Sequence, residues 1–168
     1  MKLDVSPALR NPGQEYPFHG EQTIAPQEIS GDTVVFDDAA LDGTFCATED
    51  GSVTMDGSLR TVAHAHCANC LEPASADIQA TFRETFLRNG SPEDDEIFAY
   101  TGSAVGFEKL AMSYAVLALP IRFLCREDCP GLDAVSGADN DPCHCQKDAK
   151  KDNPFAALQQ LLTKDEEV

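Results

Sequence analysis

Tryptophan is absent from this chain and aromatic residues make up only 7% of it, so a core can form but with few large anchors. Basic residues are also scarce: twelve Lys and Arg stand against twenty-nine Asp and Glu, a net charge of -17. Residues 1–60 alone carry eleven acids and three bases. Nucleic-acid affinity comes mainly from Lys and Arg displacing counterions, so broad binding of naked RNA or DNA is disfavoured and a basic protein partner is favoured. The same charge also serves plain solubility. No run approaches the ~20 apolar residues that cross a bilayer. The opening MKLDVSPALRNPGQEYPF has no apolar signal-peptide core, which predicts a cytoplasmic protein. Signatures of catalysis are missing as well: there is no G-x-S-x-G, H-E-x-x-H, G-x-x-x-x-G-K or G-x-G-x-x-G. The acidic pairs Asp37-Asp38 and Asp94-Asp95 read as solvated faces, because adjacent residues on a strand or loop diverge. No enzymatic activity is therefore expected.

What is present is mostly strand. In TVVFDD, LDGTFCATEDG, SVTMDGSLRTVAHAHC and ADIQATFRETFLR, apolar and β-branched residues alternate with polar ones between DG, GS and EP turn signals. The second and third of these form a predicted hairpin across Asp50-Gly51, with Val62 facing inward and Ala63 and Ala65 on the other face. The fourth is a further antiparallel strand carrying Ile78, Ala80 and Phe82. SPEDDE, residues 91–96, reads as an acidic loop leading into a short strand in EIFAYTG. In GFEKLAMSYAVLALP, Phe107, Leu110, Ala111, Tyr114, Leu117 and Ala118 recur at helical spacing, predicting a helix over about 107–119 ended by Pro120. NPFAALQQLL reads as a short amphipathic C-terminal helix capped by Asn153, with Pro154 at its first position. The fold class expected is α+β: a mainly antiparallel β core with one main helix, a cysteine-bearing irregular tail and a short C-terminal helix. Residues 1–122 form the β-rich core and 123–168 the tail, within one domain.

Seven cysteines fall as one single and three close pairs. In a compartment that keeps thiols reduced, such pairs favour metal over disulfide. Cys67 and Cys70 form a C-x-x-C knuckle, a spacing that lets two thiolates reach one Zn²⁺ from a tight turn. Cys125 and Cys129, and Cys143 and Cys145, are the other pairs. The simplest closed site is Cys125, Cys129, Cys143 and Cys145, local in sequence, with zinc as a structural ion. A second arrangement draws Cys67 and Cys70 to one of the tail pairs, tying the tail to the sheet. Four thiolates leave no open coordination position, which fits a structural role. His64, His66 and His144 are spare ligands at most, and Cys46, alternating with Phe45, reads as a small hydrophobe. A redox C-x-x-C belongs at a helix start, where the dipole lowers a thiol pKa; this one follows a strand.

The order of a β-rich half, CANCLEP, a helix ending LALP, C-x-x-x-C-x-G-L, C-x-C and NPFAALQQLL resembles the YceD family, the large ribosomal RNA subunit accumulation proteins of bacteria and plastids. The resemblance spans residues 15–163. It implies a non-enzymatic role in large-subunit biogenesis and carries over no catalytic residue. Cysteine-rich members continue G-L-C-x-x-C-G after the first tail pair, where this chain has Asp133 and Ser136; only Cys67, Cys70, Cys125, Cys129, Cys143 and Cys145 match. Charge and resemblance together imply a basic ribosomal protein or pre-ribosomal particle as the partner. The alternatives are a zinc-stapled interaction module unconnected to ribosomes, and a thiol oxidoreductase using Cys67 and Cys70.

Overall fold

The computed structural model of the chain describes residues 1–90 and 98–132. Met1–Cys129 forms one compact unit. Its described residues form nine strands and two helices: β1 (Lys2–Asp4), α1 (Ser6–Arg10), β2 (Glu15–Gln22), β3 (Gln27–Ile29), β4 (Asp32–Phe36), β5 (Ala39–Ala47), β6 (Val53–His66), β7 (Pro73–Arg88), β8 (Phe98–Tyr100), β9 (Ala104–Gly106) and α2 (Glu108–Leu117). This is an α+β fold built on a mainly antiparallel sheet, as the alternation in the sequence indicates. The expected acidic loop at 91–96 and the expected C-terminal helix at NPFAALQQLL lie outside the described residues, as does Asp94-Asp95.

Strand β6 is the spine of the seven-stranded sheet. Strand β7 pairs with one edge along Val53–His66. The other edge is shared: β5 takes Val53–Arg60 and β4 takes Ala63 and His64. Strand β2 borders β5, β3 borders β4, and β8 joins β7 in parallel. Pro17 in β2 is tolerated because this is an edge strand, where a missing backbone donor breaks little.

The hairpin across Asp50-Gly51 forms as its turn signal predicts, and Gly51 adopts a left-handed φ of 83°. The two other Asp-Gly pairs are no turns. Gly43 and Gly57 face each other in mid-strand. A Cβ on Gly43 would lie 2.2 Å from the Asp56 carbonyl oxygen, and one on Gly57 would lie 2.5 Å from that of Asp42. Glycine there permits close backbone approach under the rings of Phe18 and Phe82.

The inward face of β6 is odd-numbered: Val53, Met55, Leu59, Thr61 and Ala63 are buried. Ala63, expected on the other face, is therefore a core residue, and Val62 is only half-buried. Period-two geometry makes this all or none, and Met55 and Leu59 set the parity. Cys46 is half-buried for the same reason: Phe45 takes the inward position.

Phenylalanines supply the large anchors that tryptophan does not. Phe18 packs against Phe45, Phe82 and Phe107, and Phe86 against Phe98 and Phe107. Helix α2 lies over this cluster through Leu110, Ala111 and Ala115. Tyr114 packs against Phe82 with the rings tilted at 52° and donates a 2.6 Å hydrogen bond to Glu84, which holds the Tyr114 hydroxyl up at about 12. Leu117, expected in the buried stripe, is 79% exposed, since the helix ends there with Ala118 as its C-cap. No helix among the described residues is long and apolar enough to cross a membrane.

Candidate metal centre

Where β6 ends, the backbone turns tightly through the C-x-x-C. The Cys67 amide donates to the Glu72 carbonyl at 2.8 Å and the Leu71 amide donates to the Cys67 carbonyl at 2.9 Å. Leu71 completes the turn in the left-handed region, with a φ of 65°. The segment after α2 runs back to this turn. The Ala68 amide donates to the Phe123 carbonyl at 2.9 Å, and the Asn69 side-chain amide donates to the Cys129 carbonyl at 3.1 Å.

Four sulfurs meet at this corner. Cys67, Cys70, Cys125 and Cys129 all lie within 4.8 Å of one another. Cys67 Sγ is 3.7 Å from Cys129 Sγ, and Cys70 Sγ is 3.5 Å from Cys125 Sγ. All four are free thiols. Cys67, Cys70 and Cys129 are buried together with Ala74, and Phe123 and Leu124 pack against them.

The electrostatics of the corner are uneven. The Cys125 amide hydrogen bond, supported by the amides of Asn69 and Cys70, lowers the Cys67 thiol to about 6 despite burial. At Cys70 the Glu72 amide favours the thiolate, but burial and the three neighbouring sulfurs outweigh it and push the thiol up to about 12. Cys125 is also raised: a hydrogen bond from Cys70 lowers it, but Cys129, burial and Cys67 prevail. One negative charge is accommodated by backbone donors, and each further one meets like charge at close range.

The structure thus joins the knuckle to the first tail pair. Cys143 and Cys145, like His144, lie outside the described residues. His64 and His66 stand apart from the sulfurs: His64 pairs with Asp37 at 3.2 Å and His66 with Asp32 at 2.8 Å. Asp37 and Asp38 diverge, with Asp38 accepting from Thr23 at 2.7 Å. Sequence reasoning missed Asn69 and Leu71, the two residues that tie and shape the turn. The positive φ of Leu71 has no local signal, because glycine is the residue that normally announces one.

The family described as large ribosomal RNA subunit accumulation protein YceD matches residues 55–162. An uncharacterized protein of Mycobacterium bovis is 27% identical over 139 residues, covering 79% of this chain and 67% of that protein. Uncharacterized proteins of two Mycobacterium tuberculosis strains match to the same extent. No solved structure matches the chain. Because the family match runs from Met55 in β6 through every paired cysteine and takes in more than half of the chain, the chain belongs to the YceD family.

Proposed function

We propose that this chain is a non-enzymatic factor in large ribosomal subunit biogenesis, acting in the cytoplasm through a basic protein partner, with one structural zinc at Cys67, Cys70, Cys125 and Cys129. Membership of a family described by large ribosomal RNA accumulation carries this reading. The net charge of -17 supports a protein partner over naked RNA, because ribosomal RNA would be repelled while basic ribosomal proteins would be attracted.

The donor set supports zinc. A Zn–S bond of ~2.3 Å puts the ligand sulfurs of a tetrahedron about 3.8 Å apart. The two close sulfur pairs, at 3.7 and 3.5 Å, are near that edge length. A dication would also relieve the charge repulsion that keeps Cys70 and Cys125 protonated. Four thiolate ligands would close the coordination shell, so the ion would staple the fold and activate no water. A thiol oxidoreductase is the weaker alternative, since Cys67 is fully buried and its motif follows a strand.

Two experiments test the reading. Low-salt pull-down from lysate is expected to recover basic ribosomal proteins that high salt releases; recovery of naked RNA without them defeats the partner assignment. Metal analysis of protein purified without chelator is expected to find zinc at one per chain in the wild type and in a Cys143→Ser/Cys145→Ser variant. Cys67→Ser and Cys129→Ser are expected to lose it. Zinc that survives in Cys67→Ser but disappears from Cys129→Ser and from the tail variant moves the site to Cys125, Cys129, Cys143 and Cys145.

A further inference from the structure

Beside the cysteine corner runs an open groove of about 680 Å³. One wall is the β3–β4 hairpin with Ile29, Asp32 and Val34; the other is the chain after α2 with Ile121 and Phe123. Leu71 lies at the knuckle end. Two of these side chains are left largely in water among the described residues. Ile121 is fully exposed, and Leu71 is 65% exposed.

Leu71 is the more telling of the two. Its φ of 65° is disfavoured for a residue with a Cβ, by roughly 1–2 kcal/mol. Glycine would make the same turn without that strain. A leucine held in strain and left mostly in water gains little from the described part of the fold, so its use lies in contact with something beyond the described residues. Exposed apolar side chains around a concave site are the mark of a docking surface.

The charge beside the groove says what kind of partner fits. Between Arg10 and Arg60 the sequence contains no Lys or Arg, and the β3–β4 wall lies wholly within that stretch. It carries Glu28 and Asp32, the latter paired with His66 at 2.8 Å, and Glu72 follows Leu71; the opposite wall carries Arg122. We infer that this groove docks an amphipathic segment of a basic protein, its apolar side chains against Leu71 and Ile121 and its Lys and Arg along the β3–β4 wall. The inference rests on the reading of a basic protein partner and names the surface that would receive it. The Ala68 amide donates to the Phe123 carbonyl, so the corner also ties the wall after α2 to the knuckle end of the groove.

The test uses the full chain and a labelled synthetic helix with leucines three and four apart and lysines elsewhere, read by fluorescence anisotropy at physiological salt. Wild type is expected to bind saturably, and Leu71→Gly and Ile121→Ser to bind about tenfold more weakly or worse. Leu71→Gly relieves strain, so its thermal melt is expected to match or exceed the wild type's and weaker binding cannot be blamed on unfolding. Equal binding by wild type and both variants overturns the inference. So does equal binding of a helix whose leucines are replaced by serine, which would show charge alone at work. So does a dimer in sedimentation that Ile121→Ser abolishes, which would make a second copy the occupant. A second arm captures urea-extracted ribosomal proteins. Capture by wild type and variants alike keeps the ribosomal partner and removes the groove; groove-dependent binding of the helix without any such capture keeps the groove and removes the ribosomal partner.

Discussion

The two turns at the ends of β6 solve one problem in opposite ways. At the Ala47–Val53 end the chain closes on itself. The Thr48 amide donates to Ser52 at 2.9 Å, and the Gly51 amide donates to Thr48 at 3.0 Å. Asp50 accepts from the Thr48 hydroxyl and from the Ser52 amide, and Tyr100 donates to the Gly51 carbonyl. At the His66–Pro73 end the turn is completed by residues that lie 55 and 62 positions further on, Cys125 and Cys129. The first turn is mainly a local hydrogen-bonded device, with Tyr100 as a distant donor to it. The second also has local backbone bonds, from Cys67 to Glu72 and from Leu71 to Cys67, but its sulfur cluster depends on a distant part of the chain arriving, and on something to reconcile four crowded sulfurs.

Removing metal should break that contrast most strongly. If zinc at the corner is held at ~1,000 times its dissociation constant, chelation removes about 4 kcal/mol. That is roughly 8–16 °C in Tm for a chain of this size. Hydrogen exchange is expected to quicken at residues 67–72 and stay unchanged at 48–52; equal quickening at both turns sinks the idea that the corner alone depends on the ion. Gly51→Ala probes the other end. Its φ of 83° and an Arg88 Cδ 3.2 Å from the added Cβ predict a loss of about 1–2 kcal/mol. The shift should appear in the urea midpoint with zinc content intact, and no shift would mean that the turn absorbs the strain.

Smaller effects sharpen the comparison. Leu71→Gly should stabilise by about 0.5–1 kcal/mol, because relief of left-handed strain exceeds the added freedom of the unfolded chain. A fall in the denaturation midpoint would show instead that the leucine packs inward. At Asp50 the hydrogen bonds from Thr48 and then Ser52 hold the carboxyl below its ordinary 3.8. A depressed folded pKa contributes stability that is complete above the unfolded value and disappears as pH falls through the folded one. Asp50→Asn should therefore differ most from wild type near neutrality and converge with it in acid. A gap that stays constant with pH would remove the carboxylate's charge from the account.

These contrasts also show which features the sequence could announce. The strands β4 to β7 were legible because one buried face forces period-two alternation, and Asp50-Gly51 was legible because its turn needs a positive φ. The other Asp-Gly pairs carry the same letters for a different reason, the close approach of Gly43 and Gly57, which depends on strand pairing and not on neighbours in sequence. Strand β2 escaped notice because Pro17 and Gly20 hide the alternation of Phe18 with its flanking residues. At the site, the C-x-x-C spacing marked Cys67 and Cys70 as a ligand pair, but spacing is blind to which distant pair completes it. The tail offered Cys125 with Cys129 and Cys143 with Cys145, and only the path of the chain after α2 brings the first pair to the knuckle.

The long reach of that corner sets a clock. During synthesis at ~5–20 residues per second, Cys125 follows Cys70 by about 3–11 seconds. For that interval the knuckle is a half-finished clasp. The corner closes only once the whole sheet and α2 have been made, so its closure reports that the chain in front of it is complete.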